Sequence, residues 1–164
     1  MAAPIRILTV TVSDSRSSKD DESGALLATE LARAGFSVQR HAPVRDDAIV
    51  LRELVRSSAT LNVADAIVLT GGTGLAPRDV TPEAVEELLD KRIDGFGEEF
   101  RRRSWEQVGP RAMLSRATAG VVAGTVVVVL PGSPSAVKLA IPLIVEMLPH
   151  AVEQASGRGT HHHH

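Results

Sequence analysis

The residue types best suited to chemistry lie in loops rich in glycine and serine. Gly71, Gly72, Thr73 and Gly74 closely follow the apolar residues 64–69. Glycine has no side chain beyond hydrogen, so the backbone N–H groups of such a loop can approach an anion closely. Taken alone the motif is weak, and a tight turn after a strand is the commoner explanation. Neither the Gly-Lys-Ser/Thr of a P-loop nor the G-x-G-x-x-G spacing of a dinucleotide fold is present, which disfavours a P-loop hydrolase or a dehydrogenase.

A cation and a carboxylate, Arg78 and Asp79, come shortly after the glycine loop. Thr81 and Pro82 predict a helix directly beyond them, with Thr81 as N-cap and Pro82 as first helical residue. The Asp79 carboxylate could ligate Mg²⁺ while the phosphates of a bound nucleotide complete the octahedron. Charge complementation of the helix N-terminus explains the same residue equally well.

Two neighbouring acids, Asp46 and Asp47, begin the second predicted helix. Aspartate is favoured at the N-cap position, so at least one of the two is predicted to cap this helix. A metal role for Asp46 depends on tertiary contacts that the spacing does not supply.

Two further polar loops, residues 13–18 and 131–135, also follow predicted strands. Ser133 and Pro134 predict the N-cap and first residue of the last helix, whose free N–H groups could hold a phosphate in addition to being capped. In an open α/β sheet, ligands bind at the carboxyl ends of the strands, and all three loops leave strands at that edge. We expect them to converge into one electropositive cup with an acidic residue at its lip.

The elements that position these loops follow from the apolar pattern. Strands are predicted at residues 5–12, 36–41, 64–69, 116–122 and 125–130, and helices at 23–34, from about 46, from 81, at 95–107 and from 134. Their alternation predicts a three-layer α/β/α sandwich with a mostly parallel sheet and one antiparallel strand, contributed by a hairpin across Ala123 and Gly124. Ser23 is the predicted N-cap of the first helix, and Pro142 is expected to kink or shorten the last.

Composition limits the partners. The formal net charge of −2 gives no electrostatic reason to expect nucleic acid or an anionic membrane. Cysteine is absent, which excludes disulfides and thiolate chemistry. The longest apolar stretches, residues 125–130 and 139–148, are too short or too interrupted to span a bilayer, and no signal peptide is recognisable, so we expect a cytoplasmic protein. Residues 1–157 are predicted to form a single domain, followed at 158–164 by a tail with a tag remnant.

Four sequence motifs together resemble one known family. The longest is TGGTGLAPRDVTPEA at residues 70–84, and GFGE at 95–98, LSR at 114–116 and LPGSP at 130–134 match in order and spacing. Over residues 5–148 the chain resembles the MogA/MoaB family of molybdopterin adenylyltransferases, which is related to the gephyrin G domain. The resemblance implies the molybdopterin-binding fold and transfer of AMP from ATP to the terminal phosphate of molybdopterin, with release of pyrophosphate.

The resemblance also implies roles for individual residues. Asp79 and Asp46 would serve Mg²⁺ and the activation of ATP, although the match leaves Asp46 and Asp47 ambiguous by one position. The residues implied to bind substrate are Ser13, Asp14, Arg16, Gly71, Gly72, Thr73, Gly74, Ser115, Pro131, Gly132 and Ser133.

The alternative function is a module that binds molybdopterin without catalysis. The family resemblance implies a homotrimer or a hexamer, with a molybdenum-insertion protein as candidate partner. The apolar last helix is predicted to be buried in the core or between subunits.

Overall fold

The computed structural model describes residues 3–15 and 21–157 of the 164-residue chain. The predicted tail at 158–164 therefore lies outside the described residues. The elements in chain order are β1 Arg6–Thr11, α1 Glu22–Arg33, β2 Ser37–Arg40, α2 Ala48–Thr60, β3 Ala66–Thr70, α3 Thr81–Glu86, β4 Lys91–Arg92, α4 Asp94–Val108, a 3₁₀ helix Gly109–Leu114, β5 Thr118–Val122, β6 Thr125–Leu130 and α5 Pro134–Ala155. All five predicted strands and all five predicted helices are present, with ends shifted by a few residues.

The strands form a six-stranded sheet in the order β2-β1-β3-β6-β5-β4. The pairs β1–β2, β1–β3 and β3–β6 are parallel, whereas β5 is antiparallel to both of its neighbours. The predicted hairpin is present, with Ala123 at φ +47° and Gly124 at φ +80° in its two-residue turn. Positive φ at both turn residues matches the twist of a tight hairpin. The predicted mostly parallel sheet with one antiparallel strand is confirmed.

Helices cover both faces of the sheet and complete three layers. One face packs against α1, α4 and α5 through residues such as Leu27, Phe100 and Ile144. The other face packs against α2 and α3 through residues such as Leu51 and Val85. Strands buried on both faces read as continuous apolar runs, which explains the run of four valines in β6.

The chain reverses its direction of travel across the sheet between β1 and β3. The connection from β1 leads outward to β2, and the chain then crosses back to place β3 on the other side of β1. A crevice forms outside the carboxyl ends of the strands at such a switch point. The loops that follow β1 and β3 therefore flank the expected ligand site.

Two predicted helix caps are wrong. The N-cap of α1 is Asp21, whose side chain accepts a hydrogen bond from the Gly24 backbone nitrogen, rather than Ser23. The N-cap of α3 is Val80, so Thr81 is the first helical residue and its side chain makes no capping hydrogen bond. In both cases the serine or threonine hydroxyl is fully buried and faces other parts of the chain.

Helix α5 is longer than predicted, since it continues through Pro142 and Pro149 for 22 residues. Both prolines are exposed, so water can reach the carbonyl groups that they leave without a helical donor. By length and mean hydropathy alone this helix could cross a membrane. One side of α5, including Val137 and Leu148, nevertheless belongs to the core beneath the sheet.

Candidate active site

The strand register brings the three predicted loops together. Thr11 at the end of β1 pairs with Thr70 at the end of β3, which in turn pairs with Leu130 at the end of β6. The loops beyond these residues surround a cavity of about 470 Å³. Its lining residues are Val12, Ser13, Asp14, Ser15, Asp46, Gly71, Gly72, Thr73, Gly74, Arg78, Asp79, Gly132, Ser133 and Pro134. Gly72, Asp79 and Ser133 thus share one site, as the sequence predicts.

The glycine loop requires glycine for conformation and for space. Gly71 has φ +100° and Gly72 has φ +70°, values that residues other than glycine rarely adopt. A Cβ on Gly71 would collide with the carbonyl oxygen of Val12, and one on Gly72 would collide with the Thr81 hydroxyl. The loop therefore passes very close to its neighbours, and any side chain would displace it.

This loop presents backbone donors to a ligand. The Gly71 N–H donates to the Leu130 carbonyl oxygen at 2.9 Å, which fixes the start of the loop to β6. The N–H groups of Gly72, Thr73 and Gly74 have no hydrogen-bond partner within the described part of the chain. Successive free N–H groups in a turn form an anion-binding concavity.

The neighbouring acids Asp46 and Asp47 have different roles. Asp47 is the N-cap of α2, and its carboxylate accepts hydrogen bonds from the backbone nitrogens of Ile49 and Val50 at 2.9 and 3.2 Å. Asp46 lines the cavity, and its own N–H donates to the Asp14 carboxylate at 3.0 Å. The predicted capping role falls to Asp47, and Asp46 is the acid that faces the site.

The surroundings of the Asp46 carboxylate do not stabilise its negative charge. Its Oδ1 atom is buried without a hydrogen-bond partner in the described chain, and so is the hydroxyl oxygen of Thr81. Both oxygens face Gly72, because a Cβ there would meet the two of them, with Asp46 Oδ1 at 2.8 Å. Burial raises the pKa of Asp46, and the charges of Asp14 and Asp79 raise it further, with only partial relief from Arg78.

Asp79 is held by the turn in which it lies. Its Oδ2 accepts a hydrogen bond from the Ala76 nitrogen at 3.1 Å, and its own N–H donates to the Ala76 carbonyl oxygen at 2.9 Å. A Cβ on Gly74 would lie 2.7 Å from Asp79 Oδ2, so the glycine also makes room for this carboxylate. The turn thereby presents Asp79 to the cavity beside the free N–H groups.

The third loop contributes a helix start that is tied to the rest of the site. Ser133 is the N-cap of α5, and its hydroxyl oxygen accepts a hydrogen bond from the Ala136 nitrogen at 3.2 Å, as predicted. The Ser23 hydroxyl donates to the Gly132 carbonyl oxygen at 2.7 Å. This bond connects the first turn of α1 to the loop after β6, which explains why Ser23 is buried and does not cap its own helix.

Two of the predicted binding residues line a different cavity. Ser115 and Pro131 line an adjoining cavity of about 260 Å³, which shares Thr73, Gly74 and Ser133 with the first. Its walls are more apolar and include the aromatic ring of Phe100. Arg16 lies outside the described residues.

The predicted electropositive character is not found in the side chains of the described lining. Asp14, Asp46 and Asp79 carry negative charge there, and Arg78 is the one cation among the described lining residues. A phosphate ligand would meet three carboxylates in this cavity. It therefore needs a cation as well as the backbone donors.

These residues fit a magnesium ion that is completed by its ligand. The described chain contains no group of three or more acidic or histidine side chains that could hold a metal by itself. Mg²⁺ is usually bound through one or two carboxylates, with water and substrate phosphates as the other ligands. The buried, unpartnered oxygen of Asp46 and the nearby carboxylate of Asp79 provide that kind of donor set.

The sequence reasoning missed one residue that shapes the site. Arg116 was predicted as the start of a strand, but its guanidinium donates to three backbone carbonyl oxygens of the loop between β3 and α3. The residues next to Arg116 in the sequence give no sign of this contact, because the contact joins residues about 40 positions apart in the chain. On its other side Arg116 borders a second polar cavity of about 440 Å³, whose acids are largely paired with Arg92 and Arg116.

Fold and site together define an α/β protein with a cavity suited to a phosphate-bearing ligand at the carboxyl edge of its sheet. A family model described as "Probable molybdopterin binding domain" matches residues 8–150. The chain belongs to this family, and the resemblance to MogA and MoaB proteins is confirmed.

Known relatives cover nearly the whole chain. Molybdenum cofactor biosynthesis protein B of Bacillus subtilis is 43% identical over 152 residues, which is 92% of this chain and 89% of the relative. A protein named "Probable molybdopterin adenylyltransferase" from Methanocaldococcus jannaschii is 40% identical over 153 residues, which is 89% of this chain and 91% of the relative. A crystal structure of a Molybdenum cofactor biosynthesis protein B matches with a TM-score of 0.90 at 42% identity, covering 96% of this chain and 98% of that one.

Proposed function

We propose that this protein transfers AMP from ATP to the terminal phosphate of molybdopterin and releases pyrophosphate. The observation that carries the proposal is that backbone N–H donors and carboxylates line the same cavity. The N–H groups of Gly72, Thr73 and Gly74, which have no hydrogen-bond partner among the described residues, line the same cavity as the carboxylates of Asp46 and Asp79. The name of the Methanocaldococcus jannaschii relative supports the same reaction.

The reaction needs little covalent chemistry from the protein. An oxygen of the molybdopterin phosphate forms a bond to the α-phosphorus of ATP, and the bond from that phosphorus to the β-bridging oxygen breaks. The leaving electron pair departs on pyrophosphate. Catalysis of such a transfer rests on neutralising and aligning the phosphates, which backbone donors and fixed charges accomplish.

The residues of this chain supply binding and alignment. The N–H groups of the glycine loop bind phosphate oxygens, and the start of α5 at Ser133 offers further backbone donors. Asp46 and Asp79 would hold Mg²⁺, with nucleotide phosphates and water as its remaining ligands. Bound there, the ion would add positive charge to that of Arg78, the one cation among the described lining residues.

The adjoining cavity suits the second substrate. It opens from the glycine loop and Ser133, so a ligand lying in it would place its phosphate near those residues. Its walls combine Phe100, Val108 and Leu139 with the polar Ser115 and Arg111. Apolar walls with a few polar groups are typical of small-molecule sites, which is compatible with a pterin at this place.

The proposal is tested by mixing purified protein with molybdopterin, ATP and Mg²⁺. We expect adenylylated molybdopterin and pyrophosphate in equal amounts. The variant Asp79→Ala is expected to bind molybdopterin but to form no product, whereas Asp94→Ala, which removes an exposed acid outside the cavity, keeps full activity. Full activity of Asp79→Ala would refute the assignment. Binding of molybdopterin by the wild type without pyrophosphate release would instead indicate a non-catalytic binding module.

A homotrimer is part of the same proposal. Large apolar side chains are exposed where α4 meets the 3₁₀ helix: Trp105 is 48% exposed, Met113 68% and Leu114 57%. Clustered exposed apolar residues of this kind mark contact surfaces between proteins. Light scattering of the purified protein is expected to give three chain masses, or six if two trimers associate. A monomer would contradict this part of the proposal.

A further inference from the structure

A single side chain closes the loop that carries the proposed catalytic acid. Arg116 lies just before β5, and its Nε donates to the Thr73 carbonyl oxygen at 3.0 Å. Its Nη2 donates to the carbonyl oxygens of Gly74 at 2.7 Å and of Asp79 at 3.0 Å. The guanidinium therefore joins the beginning of the loop to its end. Its remaining nitrogen, Nη1, pairs with Glu83 in α3.

The loop has few other constraints along residues 73–79. It lies between β3 and α3 and contains no regular secondary structure. Within it, Leu75 is 68% exposed and contributes no core packing. The backbone restraints are the Ala76–Asp79 turn, which is internal to the loop, and the hydrogen bond from the Thr81 N–H to the Gly72 carbonyl oxygen at its base. Among the described side chains, Arg116 is the one from outside the loop that donates hydrogen bonds to the backbone of residues 73–79.

The same kind of contact occurs at the opposite end of the sheet, where no ligand site is proposed. Arg6 begins β1, and its Nη1 donates to the carbonyl oxygens of Asn62 and Val63 at 3.2 and 3.4 Å. It also pairs with Asp65. Arg6 and Arg116 each attach a loop preceding or following β3, so Arg6 provides a matched control for a purely structural role.

We propose that Arg116 is a positioning residue that holds the loop of residues 73–79, and with it Asp79 and the free N–H groups, in the conformation that binds the nucleotide. The inference rests on the adenylyl transfer proposed above. Arg116 acts through the loop and does not contact the reacting atoms. Without it, part of the binding free energy of ATP must order the loop, so the apparent affinity falls.

The first test compares steady-state kinetics of wild type, Arg116→Gln and Arg116→Lys. We expect kcat/KM for ATP to fall about 100-fold in Arg116→Gln, mainly through KM, since small displacements of positioning groups have effects of this size. Arg116→Lys is expected to recover only a small part, because one ammonium group cannot replace the planar fork that reaches Thr73, Gly74 and Asp79. Added guanidinium ion at millimolar concentration is expected to restore part of the activity of Arg116→Gln.

Two controls separate this role from fold stability and from the ion pair. Arg6→Gln removes the matched contact at the other end of the sheet and is expected to leave KM for ATP unchanged. Glu83→Gln removes only the negative charge that pairs with Nη1 of Arg116. The Glu83 side chain is 54% exposed. Because exposed ion pairs contribute little, KM for ATP is expected to change by less than about threefold.

A second readout does not need activity. The amides of Ala76 and Asp79 are hydrogen-bonded within this loop, and the amide of Thr81 donates to Gly72 at its base. Their hydrogen exchange in the ligand-free protein is expected to be faster in Arg116→Gln than in wild type or Arg6→Gln. If the wild type forms no adenylylated product, the proposed function fails, and exchange alone decides whether Arg116 orders the loop. Unchanged exchange in Arg116→Gln would overturn the inference, as would faster exchange with an unchanged KM for ATP.

Discussion

Two aspartates at the carboxyl edge of the sheet, the buried Asp21 and the partly buried Asp46, differ in how well their surroundings stabilise a negative charge. The Asp21 side chain is 1% exposed and accepts hydrogen bonds from the Thr11 hydroxyl, from the Gly24 nitrogen at 2.9 Å and from Arg40 at 3.0 Å. Burial raises the pKa of Asp21, but the hydrogen bonds from Thr11, Gly24 and Arg40 together hold it below its ordinary value.

Asp46 shows the opposite balance. One of its oxygens is buried without a partner in the described chain, and burial together with the charges of Asp14 and Asp79 raises its pKa. A carboxylate that the fold fully satisfies is part of the fold, as Asp21 is. A carboxylate left unsatisfied lowers stability and is useful only when a ligand completes it. The comparison therefore indicates a structural role for Asp21 and supports the binding role proposed for Asp46.

The largest expected change in the free energy of unfolding comes from substituting Asp21. The change Asp21→Asn removes the ion pair with Arg40 and replaces an acceptor of three hydrogen bonds, so the free energy of unfolding is expected to fall by about 2 kcal/mol. Urea unfolding at neutral pH measures it. The control Glu30→Gln disrupts the exposed pair with Arg33 and is expected to change stability by less than about 0.5 kcal/mol. Equal effects of the two changes would contradict the structural role of Asp21.

The contribution of Asp21 also has a defined pH dependence. Because its pKa is lower in the folded protein than the ordinary value of 3.8, its stabilisation is complete above that value and is lost as the pH falls through the folded pKa. The stability difference between wild type and Asp21→Asn should therefore shrink in acid. A difference that grows as the pH falls below the ordinary value would show that the sign is wrong.

Substituting Asp46 is expected to raise the free energy of unfolding, whereas substituting Asp21 lowers it. Asp46→Asn removes a charge that burial and two neighbouring acids disfavour, so it is expected to stabilise the ligand-free protein at neutral pH by about 1 kcal/mol. The raised pKa means that the folded state binds this proton more tightly, so the gain should fade as the pH falls through that pKa. The neighbouring change Asp47→Ala removes the cap of α2 and should instead destabilise by about 1 kcal/mol. Destabilisation by both changes would remove the distinction between the two acids.

The smallest effect concerns Thr81, whose buried hydroxyl has no partner among the described residues. Removing an unpaired buried hydroxyl while keeping the side-chain shape is neutral or slightly favourable. Thr81→Val is therefore expected to change the free energy of unfolding by less than about 1 kcal/mol, in the stabilising direction. Thr81→Ser keeps the hydroxyl but loses a methyl group, and should be the less stable variant. A loss of 2 kcal/mol or more in Thr81→Val would mean that the hydroxyl has a partner in solution.

Local patterns predicted the parts of this molecule that depend on neighbouring residues. The caps Asp47 and Ser133, the turn at Ala123 and Gly124, and the alternation of strands and helices all follow from short stretches of sequence. Convergence of the glycine loop with Ser133 followed from the rule that parallel strands share their carboxyl edge. The missed two-residue strand β4 is too short to carry a pattern.

Long-range contacts decided the features that sequence could not supply. Ser23 and Thr81 look like helix caps, but the tertiary contacts of Ser23 with Gly132 and of Thr81 with Gly72 place both hydroxyls elsewhere. The choice between Asp46 and Asp47 depends on which carboxylate faces the glycine loop. The contact of Arg116 with residues 73–79 and the acidic lining of the cavity arise from segments far apart in the chain.

The central claim is that Asp46 is left unsatisfied in order to bind a nucleotide together with Mg²⁺, and thermal unfolding with ligand tests it most directly. ATP with Mg²⁺ at about 100 times its Kd should raise the Tm of the wild type by roughly 5 °C or more, and ATP with a chelator should not. Asp46→Asn should start from a higher Tm without ligand and gain little from ATP with Mg²⁺. If Asp46→Asn gains as much as the wild type, Asp46 does not serve the nucleotide site and the account is wrong.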